Sequence, residues 1–101
     1  MIVCVALFEL HIEYAQSLKD KRQVVRSIRD KLRNTFHCSC NEVALQDLHQ
    51  RARLAISFVA DRHDSADSLL DTIQRFVESN TDAVVTGWTS EKLDFDEEAS
   101  L

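Results

Sequence analysis

Apolar and polar residues alternate along the start of the chain, over residues 2–12. One set of alternate positions is apolar throughout: Ile2, Cys4, Ala6, Phe8, Leu10 and Ile12. The other set changes from apolar to polar along the segment: Val3, Val5, Leu7, Glu9 and His11. Because successive side chains of a strand point to opposite faces, this pattern predicts a long strand with one face in the core.

The spacing changes to a helical period over residues 18–35. With a turn of about 100° per residue, the apolar positions fall within an arc of about 120°: Leu18, Val24, Val25, Ile28, Leu32 and Phe36. Ser17 is a favoured helix N-cap residue, and Asp20 follows three residues later, as in a capping box. We therefore predict an amphipathic helix that is capped by Ser17 and buries one face.

Two further strands are predicted in the middle of the chain. The segment from His37 to Asn41 forms the first of them, with Cys38 and Cys40 on one face. Residues 53–60 form the other, with apolar residues at alternate positions. The polar residues 42–50 between them either extend the first of these strands or form a loop.

A second helix is predicted from near Asp64 to Asn80. Its apolar residues again share an arc of about 120°: Ala66, Leu69, Leu70, Ile73, Phe76 and Val77. Asp67 near its start suits the positive end of a helix, and Asn80 is a common helix terminator. Residues 83–93 predict a last strand, in which Gly87 marks a bulge or a close approach of two segments.

The order of elements is therefore strand, helix, strand, strand, helix, strand. With right-handed crossovers and both helices on one side, this order predicts a ferredoxin-like split βαβ sandwich. The predicted fold is α+β (βαββαβ), with a four-stranded antiparallel sheet in the order 4-1-3-2 and two helices on one face. A three-layer parallel fold would need more strands, and strands that are apolar on both faces.

Length and composition favour a single domain. The chain has 101 residues, with one glycine and no proline. This composition excludes glycine-rich phosphate loops and nucleophile elbows. We expect residues 1–93 to form the domain and residues 94–101 to form an acidic, flexible tail.

We expect a cytoplasmic protein without a membrane segment. No basic segment precedes the apolar residues 2–8, so they do not resemble a signal peptide, and no apolar run approaches the ~18 residues of a membrane helix. The three cysteines lack a disulfide-scaffold pattern, which suits a reducing compartment. Nor do His37, Cys38 and Cys40 form a zinc motif, because a Cys-x-Cys pair without a second pair of ligands is not a common ligand set. No metal or cofactor is therefore expected.

Charge is unevenly distributed along the chain. The net charge is −5, yet residues 17–36 contain seven basic and two acidic residues. Five of the basic residues are spaced three or four positions apart, which confines them to a band of about 80° on the first helix: Lys19, Arg22, Arg26, Arg29 and Arg33. In the predicted fold this band faces away from the second helix and its acidic residues, Asp67, Asp71 and Glu78.

Three interpretations of the basic band are open. The band contacts phosphates, with ribosomal RNA as the expected partner; it contacts an acidic protein surface; or it is a solvated face. Like charges at these spacings repel each other by a few tenths of a kcal/mol. Local helix stability therefore does not explain the band.

The segment from Glu42 to Arg51 is a candidate loop for contact with a partner. Its polar residues are Glu42, Gln46, Asp47, His49, Gln50 and Arg51. An acid–base site with His49 beside Asp47 is the catalytic alternative, but chain neighbours seldom converge on one reacting atom and no nucleophile is near. The structural alternative is a polar connection whose carboxylates pair with Arg51, Arg53 or the basic helix. We therefore assign no catalytic residue.

The sheet face opposite the helices is the last candidate surface. We expect Val3, Val5 and Leu7 of the first strand to lie on it, together with Val59. An apolar patch in water commonly marks an interface, so this face predicts a homodimer formed by stacking of two sheets. Ordinary apolar surface is the alternative. The sequence does not assign Trp88 to either face.

A family resemblance is carried by four segments: residues 1–12, QSLKDKR at 16–22, EV at 42–43 and QDLHQRA at 46–52. Together they resemble the YlxP-like family, a bacterial family of about this length, over nearly the whole chain up to the acidic tail. The resemblance implies a ferredoxin-like fold. Because the genes of this family tend to lie among genes for translation and ribosome maturation, it also implies a role near those processes.

The sequence is compatible with three functions. The first is a non-enzymatic accessory protein that contacts RNA or the ribosome through the basic helix. The second is a small-molecule-binding or catalytic dimer with a site around residues 42–51. The third is a homo-oligomeric or protein-binding module that uses the open sheet. Salt dependence separates the first from the second, since phosphate contacts weaken steeply with ionic strength.

Overall fold

The computed structural model describes residues 1–101 and contains six elements. They are β1 (Ile2–His11), α1 (Leu18–Phe36), β2 (Ser39–Ala44), β3 (Arg51–Ala60), α2 (His63–Ser79) and β4 (Val84–Asp94). The order βαββαβ that the hydrophobic pattern predicts is confirmed.

The four strands form one antiparallel sheet in the order β2-β3-β1-β4. β1 is central and pairs with β3 along its whole length, from Ile2 opposite Ala60 to His11 opposite Arg51. Its other side pairs with β4. The sheet therefore has two edges, β2 and β4, and the topology is the predicted ferredoxin-like α+β fold.

The core lies between this sheet and the two helices. The even-numbered residues of β1 are buried, and they share one cluster with residues of both helices: Val25, Ile28, Leu32, Ala66, Leu70, Ile73 and Val77. Both helices therefore cover the same face of the sheet, and the other face has no layer over it. Neither helix combines the length and the apolar character that crossing a membrane requires.

Both ends of α1 are capped. The Ser17 hydroxyl accepts a hydrogen bond from the Asp20 N–H at 3.1 Å, and the Asp20 carboxylate accepts one from the Gln16 N–H at 3.0 Å. At the other end His37 has a φ of 53°, and its N–H donates to the carbonyl of Arg33 at 2.9 Å. The prediction that a strand begins at His37 was wrong, because this left-handed residue ends α1.

The ambiguous segment 42–50 divides into two parts. Residues 42–44 extend β2, with a register shift between Glu42 and Ala44, and residues 45–50 form the loop that leads to β3. Leu45 at the start of this loop has a φ of 64°. The strand therefore ends where the backbone turns into the left-handed region.

β4 contains the bulge that Gly87 predicts. Glu9 pairs with Gly87 while Leu10 pairs with Val85, so Thr86 is an extra residue in the ladder. Trp88 lies on the side of the core, where its ring stacks on Phe8 with the centroids 5.1 Å apart. The structure thus assigns Trp88 to the core face of the sheet, which the alternation of the sequence did not do.

The residues after β4 contact the start of the chain. The Phe95 N–H donates to the carbonyl of Met1 at 2.8 Å, and the terminal ammonium lies 2.7 Å from the Glu97 carboxylate. Their hydrogen bond raises the pKa of the terminal amine and lowers the pKa of Glu97. The flexibility of the tail stays a prediction.

Candidate functional site

The five basic residues of the predicted band lie on α1, and we call them the basic face: Lys19, Arg22, Arg26, Arg29 and Arg33. Three of them, Lys19, Arg22 and Arg26, are exposed. None of these three forms an ion pair or a side-chain hydrogen bond with another residue of the chain. The N-terminal half of the basic face therefore presents positive charge that nothing in the protein neutralises.

The other two residues of the basic face have partners. Arg29 lies 2.9 Å from the carboxylate of its neighbour Asp30. Arg33 donates to the carbonyl of Cys40 at 2.6 Å and to the side-chain oxygen of Asn41 at 2.8 Å. Because both acceptors belong to β2, the basic face lies along the β2 edge of the sheet.

Two acidic residues of α2 have partners away from the basic face. Asp67 lies 2.7 Å from Lys92 of β4, and Asp71 pairs with Arg75 one turn further along α2. No ion pair joins the basic face to α2. Because Asp67 lies toward β4 and Arg33 toward β2, the two charged surfaces occupy opposite flanks of the molecule, and Lys19, Arg22 and Arg26 are not neutralised within the chain.

One basic residue of α1 is buried, and the sequence reasoning missed its role. Lys21 is 1% exposed, and its ammonium donates to three carbonyl groups of the loop and β3, those of Leu45, Gln46 and Arg51, at 2.8 to 3.3 Å. It also lies 2.9 Å from the carboxylate of Glu42. The two groups form an ion pair inside the fold, between the buried ammonium and a carboxylate whose side chain is 19% exposed.

The signal for Lys21 was present in the helical pattern. With a turn of about 100° per residue, position 21 falls inside the arc of about 120° that the apolar residues of α1 share. A lysine within an apolar arc is buried with a partner or reaches out with its ammonium group. Here it fastens the loop after β2 to the helix.

The structure does not gather the segment from Glu42 to Arg51 into one site. Its exposed members are Gln46, Asp47, His49, Gln50 and Arg51, and its half-buried member is Glu42. The Gln50 amide donates to the carbonyls of Glu13 and Ala15, which ties the loop to the chain between β1 and α1. Asp47 and His49 make no contact with each other that would form an acid–base pair. The structural alternative, a carboxylate paired with the basic helix, describes Glu42.

The open sheet face carries a second charged cluster. The carboxylate of Glu9 accepts hydrogen bonds from Arg51 at 3.0 and 3.1 Å and from Arg53 at 2.7 Å. The Arg53 hydrogen bond is the largest cause that lowers the pKa of Glu9, and burial opposes it. Two guanidinium groups on one carboxylate leave this end of the face with an excess positive charge.

The cysteines lie in the core. Cys4, Cys38 and Cys40 are free and belong to the buried core cluster, and the Cys38 thiol donates to the carbonyl of Leu32 in α1 at 3.6 Å. Burial raises the pKa of the Cys40 thiol to about 11. A thiol in this environment packs as a small apolar group and is not a nucleophile at neutral pH.

Comparison with known proteins identifies the family of this chain. The profile of the DUF503 family, described as a protein of unknown function, matches residues 3–89. The chain is 32% identical over 65 residues to the uncharacterized protein YlxP of Bacillus subtilis strain 168, and the alignment covers 64% of this chain and 71% of that protein. The crystal structure of At3g17210 from Arabidopsis thaliana superposes with a TM-score of 0.47 at 11% identity, over 98% of this chain and 99% of that one.

Proposed function

This chain belongs to the DUF503 family, and we propose that it is a non-enzymatic accessory factor that contacts RNA phosphates through the basic face of α1. The proposed partner is ribosomal RNA or a ribosomal particle. The observation that carries the proposal is the group of three exposed residues, Lys19, Arg22 and Arg26, that no acidic residue of the chain neutralises. The choice of the ribosome rests on the family resemblance, which implies a role near translation.

The energetics of α1 favour a partner for the basic face. Like charges three and four residues apart destabilise a helix, and a surface with mixed charges would avoid that cost. A phosphate backbone offers opposite charges in series, and its binding releases condensed counterions. The repulsion within α1 is therefore offset when phosphates lie along it.

The shape and chemistry of the basic face suit phosphates. From Lys19 to Arg33 the face extends for about 21 Å along a helix, a rigid support for several contacts. Four of its five residues are arginine, whose planar group forms paired hydrogen bonds with phosphate oxygens. The rest of the chain is strongly acidic, so its field repels RNA from the other surfaces and favours approach from α1.

The loop after β2 extends the proposed contact surface. Lys21 holds the loop carbonyls of Leu45 and Gln46 against the first turns of α1, next to Lys19 and Arg22. The backbone of this loop at Leu45 and Gln46 therefore lies beside the first turns of α1. In this arrangement the loop and the helix contact one partner together.

Charge reversal on α1 tests the proposal. Arg22→Glu combined with Arg26→Glu places two negative charges on the basic face, at exposed sites without an ion pair or a side-chain hydrogen bond. We expect the purified variant to fold normally and to lose co-sedimentation with ribosomal particles at low salt. Wild-type protein should be released from the particles as the salt concentration rises.

The matched control makes the same change in charge outside the basic face. Lys31→Glu with Arg75→Glu alters two exposed helix residues that lie away from it. This control should co-sediment like the wild type. If the Arg22→Glu, Arg26→Glu variant also co-sediments like the wild type, the basic face is a solvated surface and the proposal is wrong.

A further inference from the structure

The uncovered face of the sheet is apolar across three strands. Val3 of β1 pairs with Val59 of β3 on one side and with Leu93 of β4 on the other, and Val5 follows two residues along. Val5, Val59 and Leu93 are 47%, 64% and 59% exposed. Isolated apolar side chains are ordinary on a surface, whereas a row of them across adjacent strands marks an interface.

The charges on this face are separated into two places. One end has the excess positive charge of Arg51 and Arg53 around Glu9. At the apolar end β4 presents Glu91, which pairs in register with Val5, is exposed and forms no ion pair. The face thus carries an unpaired carboxylate, that of Glu91, and an excess positive charge at Arg51 and Arg53. These groups are too far apart to pair within one chain.

The register places these two charges symmetrically about Leu7. Glu91 lies level with Val5 on the β4 side of β1, and Arg53 lies level with Glu9 on the β3 side. With strands about 4.8 Å apart and a rise of about 3.3 Å per residue, the two positions are separated by about 10 Å across the sheet and about 13 Å along it. Leu7 lies at the midpoint of that diagonal.

We propose that two copies of this chain pack these faces together about a two-fold axis over Leu7, so that Glu91 of each copy lies on the partner's Arg53. A two-fold interface repeats every contact, so the ion pair between Glu91 of one copy and Arg53 of the other forms twice in the dimer. For this axis the strands of the two sheets cross at about 70°, close to the orthogonal class of sheet packing. The helices lie on the far side of each sheet, and both basic faces stay accessible.

The oligomeric state, measured by sedimentation velocity over a range of concentrations, tests this proposal. Wild-type protein should sediment as a dimer, and Val5→Asp should give a folded monomer. Glu91→Lys and Arg53→Glu should each raise the dissociation constant of the dimer by about tenfold or more, because each change opposes like charges. Glu78→Lys on α2 is the matched control, and it should sediment as the wild type does.

A mixture of the two charge variants provides the most specific test of the proposed contact. When Glu91→Lys and Arg53→Glu proteins are combined, both contacts of the mixed dimer regain opposite charges, so the mixture should dimerise like the wild type while each variant alone does not. A wild-type monomer, a dimer that survives Val5→Asp, or a mixture no stronger than its components would overturn the proposal. None of these results decides whether the basic face contacts phosphates, since that face lies on the other side of the sheet.

Discussion

Lys21 is a basic residue of α1 that is not part of the basic face, and it holds the loop after β2 beside that face. Its charge is inside the fold, where it neutralises Glu42 and donates hydrogen bonds to three carbonyl groups. The exposed residues of the basic face have no such contacts. Residues of the same chemical type, within two turns of one helix, therefore serve stability in one case and are free for binding in the other.

Replacing Lys21 with Met tests this division. The methionine keeps most of the side-chain volume and removes the ammonium, so the Glu42 carboxylate loses its ion pair and three carbonyls lose the hydrogen bond from Lys21. We expect the free energy of unfolding to fall by about 3 kcal/mol, as measured by urea denaturation. Lys31→Met is the control, because Lys31 is exposed, and it should cost less than about 1 kcal/mol. Equal losses in both variants would contradict the structural role of Lys21.

At the scale of elements, the N-terminal cap of α1 is formed by favourable residues, whereas its C-terminal cap is not. Ser17 and Asp20 satisfy its first turn, while His37 ends it in the left-handed region, which glycine adopts without steric cost. α2 ends differently, since Asn80 has a negative φ of −119° and its amide donates to the carbonyl of Phe76. The two helix ends therefore respond differently to glycine.

We expect His37→Gly to stabilise the protein by about 1 kcal/mol, because it removes the cost of a left-handed residue with a side chain. Asn80→Gly should instead destabilise it, since that change removes a side-chain hydrogen bond without relieving a positive φ. Thermal unfolding of the two variants beside the wild type measures both effects. A lower melting temperature for His37→Gly would show that the left-handed cap is not strained.

The elements were predictable where the hydrophobic period was regular. β1, α1 and α2 have regular patterns, which Lys21 alone interrupts in α1, and their existence and faces follow from the sequence. The loop after β2 was not predictable, because the register shift beside Glu42 and the positive φ of Leu45 break the alternation. Phe58 and Phe76 have core spacing but are only partly buried, since burial depends on which neighbours cover each position. The position of the basic face along the β2 edge followed from topology, whereas the contacts of Lys21 depend on three segments that only the fold brings together.

At the scale of the molecule, charge and apolar surface are segregated onto different sides. The basic face lies along the β2 edge, Asp67 of α2 lies toward β4, and the apolar face lies opposite both helices. A dimer formed through the open face would carry two basic faces on its outer surface. Two such faces on one particle would raise the avidity for an extended phosphate backbone through effective concentration, without a change in either face.

The salt dependence of RNA affinity tests the central claim, that α1 contacts phosphates, most directly. Fluorescence anisotropy with a labelled ribosomal RNA fragment would give the association constant between about 50 and 200 mM salt. If three to five residues of the basic face contact phosphates, the logarithm of this constant should fall against the logarithm of the salt concentration with a slope of roughly −2 to −4. Arg26→Ala should make the slope shallower by about one unit, and Arg75→Ala on α2 should leave it unchanged. A slope near zero, or the same slope for Arg26→Ala and the wild type, would contradict the account.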